Sequence, residues 1–160
     1  MATTILGISL GTRLIGIAVI RNGELIDYRV KTFKQRWSKE KQKEILGFIQ
    51  TLIEYFTVQE VVVKPCNPLR ASKRINQLSL ELKKLLGGRK VNTHFYSLAT
   101  VKLGLAIKSK NKEGLMEAIT ERYFELRKIY LKEINNRHSY YEKMFEAIAI
   151  AKWCSNEMEL

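Results

Sequence analysis

The sequence predicts an α/β fold: a mixed five-stranded sheet flanked by helices, with elements in the order βββαβαβα and more helix after them. Three observations carry this. Residues 4–33 hold apolar runs punctuated by two glycine turns, with period-2 alternation in the last run. The β-branched run Val61-Val62-Val63 lies between two segments of helical periodicity, as a buried parallel strand reached by a helical crossover does. The C-terminal third repeats its apolar residues at helical spacing only.

Each element has a local reason. Ile5-Leu6-Gly7-Ile8 is a short apolar run, broken by Gly11 and Thr12, and Leu14 to Ile20 is a second. Arg21-Asn22-Gly23 then supplies a hairpin turn, because Asn-Gly tolerates the positive φ that tight turns need. Over residues 24–33, Ile26, Tyr28 and Val30 fall on one face and Asp27, Arg29 and Lys31 on the other. Ser38 is placed to cap a helix whose stripe is Ile45, Phe48, Ile49, Leu52, Ile53 and Phe56. The strand over 58–64 ends at Pro65-Cys66-Asn67-Pro68.

A helix over 69–86 follows, with Ile75, Leu78, Leu82, Leu85 and Leu86 on its apolar side and Gly87-Gly88 as its stop. Residues 91–96 form the fifth strand, where His94 has no obvious partner and reads as structural. Ser97 caps a short helix, and 106–112 is a Lys-rich link. One long helix is expected from Leu115 to Tyr130. After the polar break Asn135-Asn136-Arg137-His138, Ser139 is expected to cap the final helix, whose stripe is Tyr141, Met144, Phe145, Ile148 and Ala151.

The 160 residues are expected to form a single domain, 1–160, with neither repeat nor linker. No apolar run approaches a membrane span, and no basic segment precedes the first apolar run, so no membrane partner and no signal peptide are expected. Cys66 and Cys154 match no zinc spacing and read as reduced thiols of a cytoplasmic protein.

Charge points to a partner. Lys and Arg total 28 against 16 Asp and Glu, a formal net charge of +12. Such a balance favours a polyanion, nucleic acid first. The basic residues concentrate at Lys34, Arg36 and Lys39 around Trp37, at Arg70, Lys73 and Arg74, at Lys102, and at Lys108, Lys110 and Lys112. Trp37 suits base stacking or packing at the domain edge. Phosphate contacts of this kind give affinity without reading sequence.

The opening stretch Ile5-Leu6-Gly7-Ile8-Ser9-Leu10-Gly11-Thr12, with the apolar run after it, resembles the first motif of the RNase H-like superfamily in its RuvC-type Holliday-junction resolvase branch. The resemblance covers almost the whole chain and implies the RNase H-like fold. It also implies DNA rather than RNA, branched or duplex, as the partner, a possible homodimer, and a phosphate contact at Lys102. The family places metal-binding carboxylates at four positions, which here read Ser9, Lys64, Lys143 and Glu146. The Ala-rich run after Glu146 fits the family's final helix.

That substitution pattern shapes the functional expectation. Two-metal phosphodiester hydrolysis needs converging carboxylates to hold two Mg²⁺. At these positions formal charge swings from about −4 to about +1. The chain's single Asp, Asp27, is expected to face solvent, and Glu142 lies one helical turn before Glu146 as a second weak metal candidate. The expectation is a nucleic-acid-binding pseudo-nuclease with no cofactor and no confident catalytic residue. Lys64 and Lys143 either pair with Glu146 or bind a phosphate. The alternatives are an Mg²⁺-dependent junction endonuclease using Glu146 and Glu142, and a non-catalytic protein-interaction module. A phosphate-cradling turn of the actin-like ATPase kind would need a second domain.

Overall fold

The computed structural model describes residues 3–67 and 69–159; Pro68 of the expected strand terminator lies outside them. Strands β1 (Thr4–Ser9), β2 (Leu14–Arg21), β3 (Glu24–Thr32), β4 (Glu60–Val63) and β5 (Asn92–Phe95) form one sheet in the order β3-β2-β1-β4-β5. β1 pairs antiparallel with β2 and parallel with β4, so it is central to the sheet. β3 is antiparallel to β2, and β5 parallel to β4. The expected mixed five-stranded sheet is therefore present.

Helices cover both faces. On one, α1 (Lys39–Tyr55) and α2 (Lys73–Gly87) bury Ile45, Ile49, Leu78 and Leu82 against Leu6, Ile8, Ile15 and Ile17. On the other, α6 (Glu142–Met158) lies across the sheet beside α3 (Leu98–Gly104) and α4 (Lys112–Arg122), and α5 (Arg127–Ile134) adjoins α4. Small residues let α6 approach closely. A Cβ added at Gly7 would stand 2.3 Å from the Ala147 carbonyl oxygen, and one at Gly16 would stand 2.1 Å from the Lys143 carbonyl. Ser38 and Ser97 cap α1 and α3 as expected, accepting from the Lys41 and Thr100 amides. Asn22 and Gly23 both take the positive φ of the hairpin turn.

Four local expectations are corrected. In β3, Ile26 is exposed, because a bulge pairs Ile20 with Leu25 and Val19 with Asp27, so Leu25 takes the inward place. α2 begins at Lys73 rather than 69, because Ser72 caps it by accepting from the Ile75 amide. The long helix is broken at Tyr123, which adopts an extended conformation and donates its hydroxyl to the Gly23 carbonyl at 3.0 Å. A 3₁₀ turn over Phe124–Leu126 leads into α5.

The fourth correction concerns α6. Ser139 does not cap it. The buried Glu133 carboxylate of α5 accepts from the Tyr140 and Tyr141 amides and from the Ser139 hydroxyl. An anion from a neighbouring helix thus bonds the amides of the two residues that lead into α6 and lies near its positive end.

Candidate functional site

The four family positions meet. Ser9 closes β1, Lys64 follows β4 with its amide bonded to the Ile8 carbonyl at 3.0 Å, and Lys143 and Glu146 lie in the first turns of α6. They gather at the C-terminal ends of the two central parallel strands, where open α/β sheets place ligands. Pairing of Ser9 with Gly16 fixes the strand end, and the missing side chain at Gly16 admits the Lys143 backbone.

Glu146 is the hub. Its Oε1 accepts the Ser9 hydroxyl at 2.8 Å, and its Oε2 accepts the Lys64 ammonium at 3.0 Å. Ser9 and Glu146 are buried, while Lys64 keeps about a third of its side chain exposed. Lys143 shares the pocket but makes no hydrogen bond or ion pair with any described residue. Burial lowers its pKa; the Glu146 charge opposes that, the Lys64 charge adds to it, and the Glu142 charge opposes it again.

Glu142 is held at the rim. Its Oε2 accepts from Ser139 at 2.9 Å and lies 3.9 Å from the Lys112 ammonium. Glu142 lines the same pocket as Glu146, one helical turn earlier as the sequence places it, and its carboxylate makes these two contacts. Among the described residues, no group of three or more His, Cys, Asp and Glu is placed to hold a metal ion. Of the pocket's two carboxylates, Glu146 is bonded through both oxygens and Glu142 is engaged by Ser139 beside Lys112; with two ammonium groups among them, this set does not fit a divalent cation, which takes several free oxygens and repels neighbouring cations.

The pocket of about 220 Å³ is lined by Leu14, Lys64, Ser139, Tyr140, Glu142, Lys143 and Glu146. A groove of about 610 Å³ shares Leu14, Ser139 and Tyr140 with it and continues past Thr32 to Arg13 and Lys34. Arg13 and Tyr140 were missed by sequence reasoning. Arg13 follows the Gly11-Thr12 turn, so its place beside the site was available as a signal; Tyr140 falls just after the expected cap Ser139 and outside the apolar stripe of the final helix.

The remaining basic residues divide by place. Lys112 reaches the site through Glu142, and Lys102 donates to the Lys110 carbonyl at 3.4 Å, tying α3 to the Lys-rich link. Arg74 and Arg13 are near enough to buried Lys41 to lower its pKa, after burial itself. Arg36, Lys39, Arg70, Lys73, Lys108 and Lys110 are exposed, and Trp37 packs half-buried against the core under α1. His94 does have a neighbour: its Nε2 lies 3.6 Å from the buried Glu60 carboxylate, and its ring stacks on Tyr96. Cys66 and Cys154 are both free, and burial pushes the Cys154 thiol up to about 12.

No protein-family model and no curated protein sequence matches the chain. Solved structures do. RuvC from Thermus thermophilus in complex with Holliday junction substrate aligns at TM-score 0.71 and 17% identity, over 98% of this chain and 96% of that one. A second Thermus thermophilus RuvC structure aligns at 0.72 and 16%, with the same coverage. At such identity the likeness is one of fold: the chain has a RuvC-like, RNase H-like fold over nearly its full length.

Proposed function

We propose that this RuvC-like chain binds nucleic acid, DNA before RNA, without hydrolysing it. One observation carries the reading: the single carboxylate at the centre of the site spends both oxygens on Ser9 and Lys64. A carboxylate so engaged and flanked by ammonium groups has little to offer Mg²⁺, so the ligands that two-metal hydrolysis requires are missing. The net charge of +12 supports a polyanionic partner. So does the gathering of Arg13, Lys34, Lys64 and Lys143 around two joined concavities.

The branched-DNA substrate of the structural relative makes a four-way junction the first ligand to try. The homodimer that the resemblance implies belongs to the same proposal and is read from the sedimentation of the complex. Two free cysteines suit a reducing, cytoplasmic setting, and no helix among the described residues is long and apolar enough to cross a membrane. The test is a set of anisotropy titrations with labelled single strand, duplex, fork and four-way junction across a range of salt. Binding that falls steeply as salt rises is the expected result. Affinity insensitive to salt, or no binding at all, would leave the protein-interaction module as the better reading.

A further inference from the structure

We infer that the pocket beside Glu146 is a metal-independent site for a backbone phosphodiester, held by the Lys64 and Lys143 ammonium groups. The same strand then continues along the groove past Tyr140 to Arg13 and Lys34. The inference rests on the nucleic-acid reading above and names the atoms that would make the contact.

Charge is the first argument. Around the pocket, Lys64, Lys143 and Lys112 face only Glu146 and Glu142. Glu146 is compensated by Lys64 and Ser9, and Glu142 by Ser139 with Lys112 at its edge. That leaves Lys143 as a cation with no hydrogen bond or ion pair among the described residues, inside a concavity of about 220 Å³. A half-buried ammonium with no bonded acceptor is costly unless a ligand supplies one. A phosphate oxygen supplies both the negative charge and the acceptor.

Continuity is the second argument. The pocket does not end at Tyr140, because Leu14, Ser139 and Tyr140 also line the groove that holds Arg13 and Lys34. Two basic stations thus lie along one path with an aromatic residue at the seam. Tyr140 is 38% exposed, and its hydroxyl lies 3.2 Å from that of Thr32, which fixes its position. A basic groove that tracks the backbone beside an aromatic on which a base can stack is a recurring way to hold a nucleic-acid strand. Burial depresses the Lys143 pKa, and a bound anion would restore it, so binding should draw a proton from solvent at alkaline pH.

The experiment is the salt dependence of junction binding by wild type, Lys143→Met and Lys90→Met, all in EDTA. Lys90 is exposed before β5, at the opposite end of the sheet from the site. Loss of one phosphate contact should lower the magnitude of the log–log salt slope by about 0.7–0.9. We expect that change in Lys143→Met, with affinity down about tenfold, and an unaltered slope in Lys90→Met. Wild type that binds with the same slope and affinity as Lys143→Met overturns the phosphate site while leaving the nucleic-acid reading intact. Wild type that binds no nucleic acid overturns the reading itself. Should Lys143→Met prove unfolded by circular dichroism, the wild-type melting temperature in low-millimolar inorganic phosphate, where its general stabilising effect is negligible, against chloride of equal ionic strength decides. A rise supports the site, and an unchanged Tm overturns it.

Discussion

The Ser9 hydroxyl and the Glu146 carboxylate, 137 residues apart in sequence, meet at 2.8 Å in the buried centre of the site. With Lys64 on its other oxygen, Glu146 is fully satisfied by this chain's own side chains. Removing one donor should therefore cost more than the bond's net worth, because a buried carboxylate oxygen is left unpaired. Ser9→Ala is expected to destabilise by ~1–3 kcal/mol. Glu146→Leu, which removes the acceptor, should show coupling to it of ~0.5–3 kcal/mol in a double-mutant cycle by urea denaturation. Additive effects would mean the hydrogen bond contributes nothing.

Lys143 is expected to trade stability for binding. Its pKa in the folded chain lies below the ordinary 10.5, so the unfolded chain holds that proton more tightly. The resulting penalty is fully present below the folded pKa and is relieved as pH rises from there toward 10.5. Lys143→Met should accordingly raise stability at neutral pH, on the order of 1 kcal/mol, or about 2–4 °C in Tm for a chain of this size. The gain over wild type should shrink as the pH of the thermal melt approaches 10.5. A Tm lowered at neutral pH would show that Lys143 stabilises the fold.

Gly16 sets the position of the site through close contact rather than through a turn. A methyl group there would meet the Lys143 carbonyl at 2.1 Å, far inside van der Waals contact. Gly16→Ala should cost about 3 kcal/mol by forcing α6 off the sheet. It should also weaken nucleic-acid binding, since Lys143 and Glu146 travel with the helix. Melting and binding measured on the same preparation check both; unchanged values would show that α6 is held elsewhere.

Glu133 anchors the lead-in to a helix to which it does not belong. Its carboxylate receives the Tyr140 and Tyr141 amides at 3.1 and 2.8 Å and the Ser139 hydroxyl at 3.2 Å. Glu133→Ala should cost ~1–2 kcal/mol, the scale of a lost cap with a favourable dipole contact. Amide hydrogen exchange should quicken first at residues 140–146, the segment that carries Tyr140, Lys143 and Glu146.

The sheet, its crossovers and two of the helix caps were legible because each rests on local chemistry. Asn22-Gly23 makes its turn alone, Ser38 and Ser97 cap the helices that follow them, and Val61-Val62-Val63 suits a strand covered on both faces. What escaped depends on contacts between distant segments. Ser139 precedes α6 as a cap should, yet Glu133 wins the amides because α5 packs a full carboxylate against them. Tyr123 breaks a run of helical apolar spacing because its hydroxyl reaches Gly23 across the fold. Glu60 and His94 are 34 residues apart in the sequence and become neighbours only through the parallel pairing of β4 with β5.

At the site, residue types could be read in advance but their pairing could not. Ser9, Lys64, Lys143 and Glu146 were expected together from the resemblance, and the structure brings them together. That Lys64 takes Glu146 while Lys143 makes no hydrogen bond or ion pair with a described residue is a matter of side-chain geometry. Glu142 shares the pocket with Glu146 as its spacing implied, and the Ser139 hydroxyl bonded to it at the rim could not be read in advance.

The most direct test of binding without hydrolysis places one labelled four-way junction with saturating protein in two samples, one with EDTA and one with Mn²⁺. Each is read first by anisotropy and then on a denaturing gel. We expect binding in both samples, weaker in Mn²⁺ only as far as the added cation competes for the DNA phosphates, and full-length strands throughout, because the proposed phosphate contacts are lysines. Mn²⁺-dependent cleavage that disappears in Glu146→Gln would contradict that claim and make Glu146 a metal ligand.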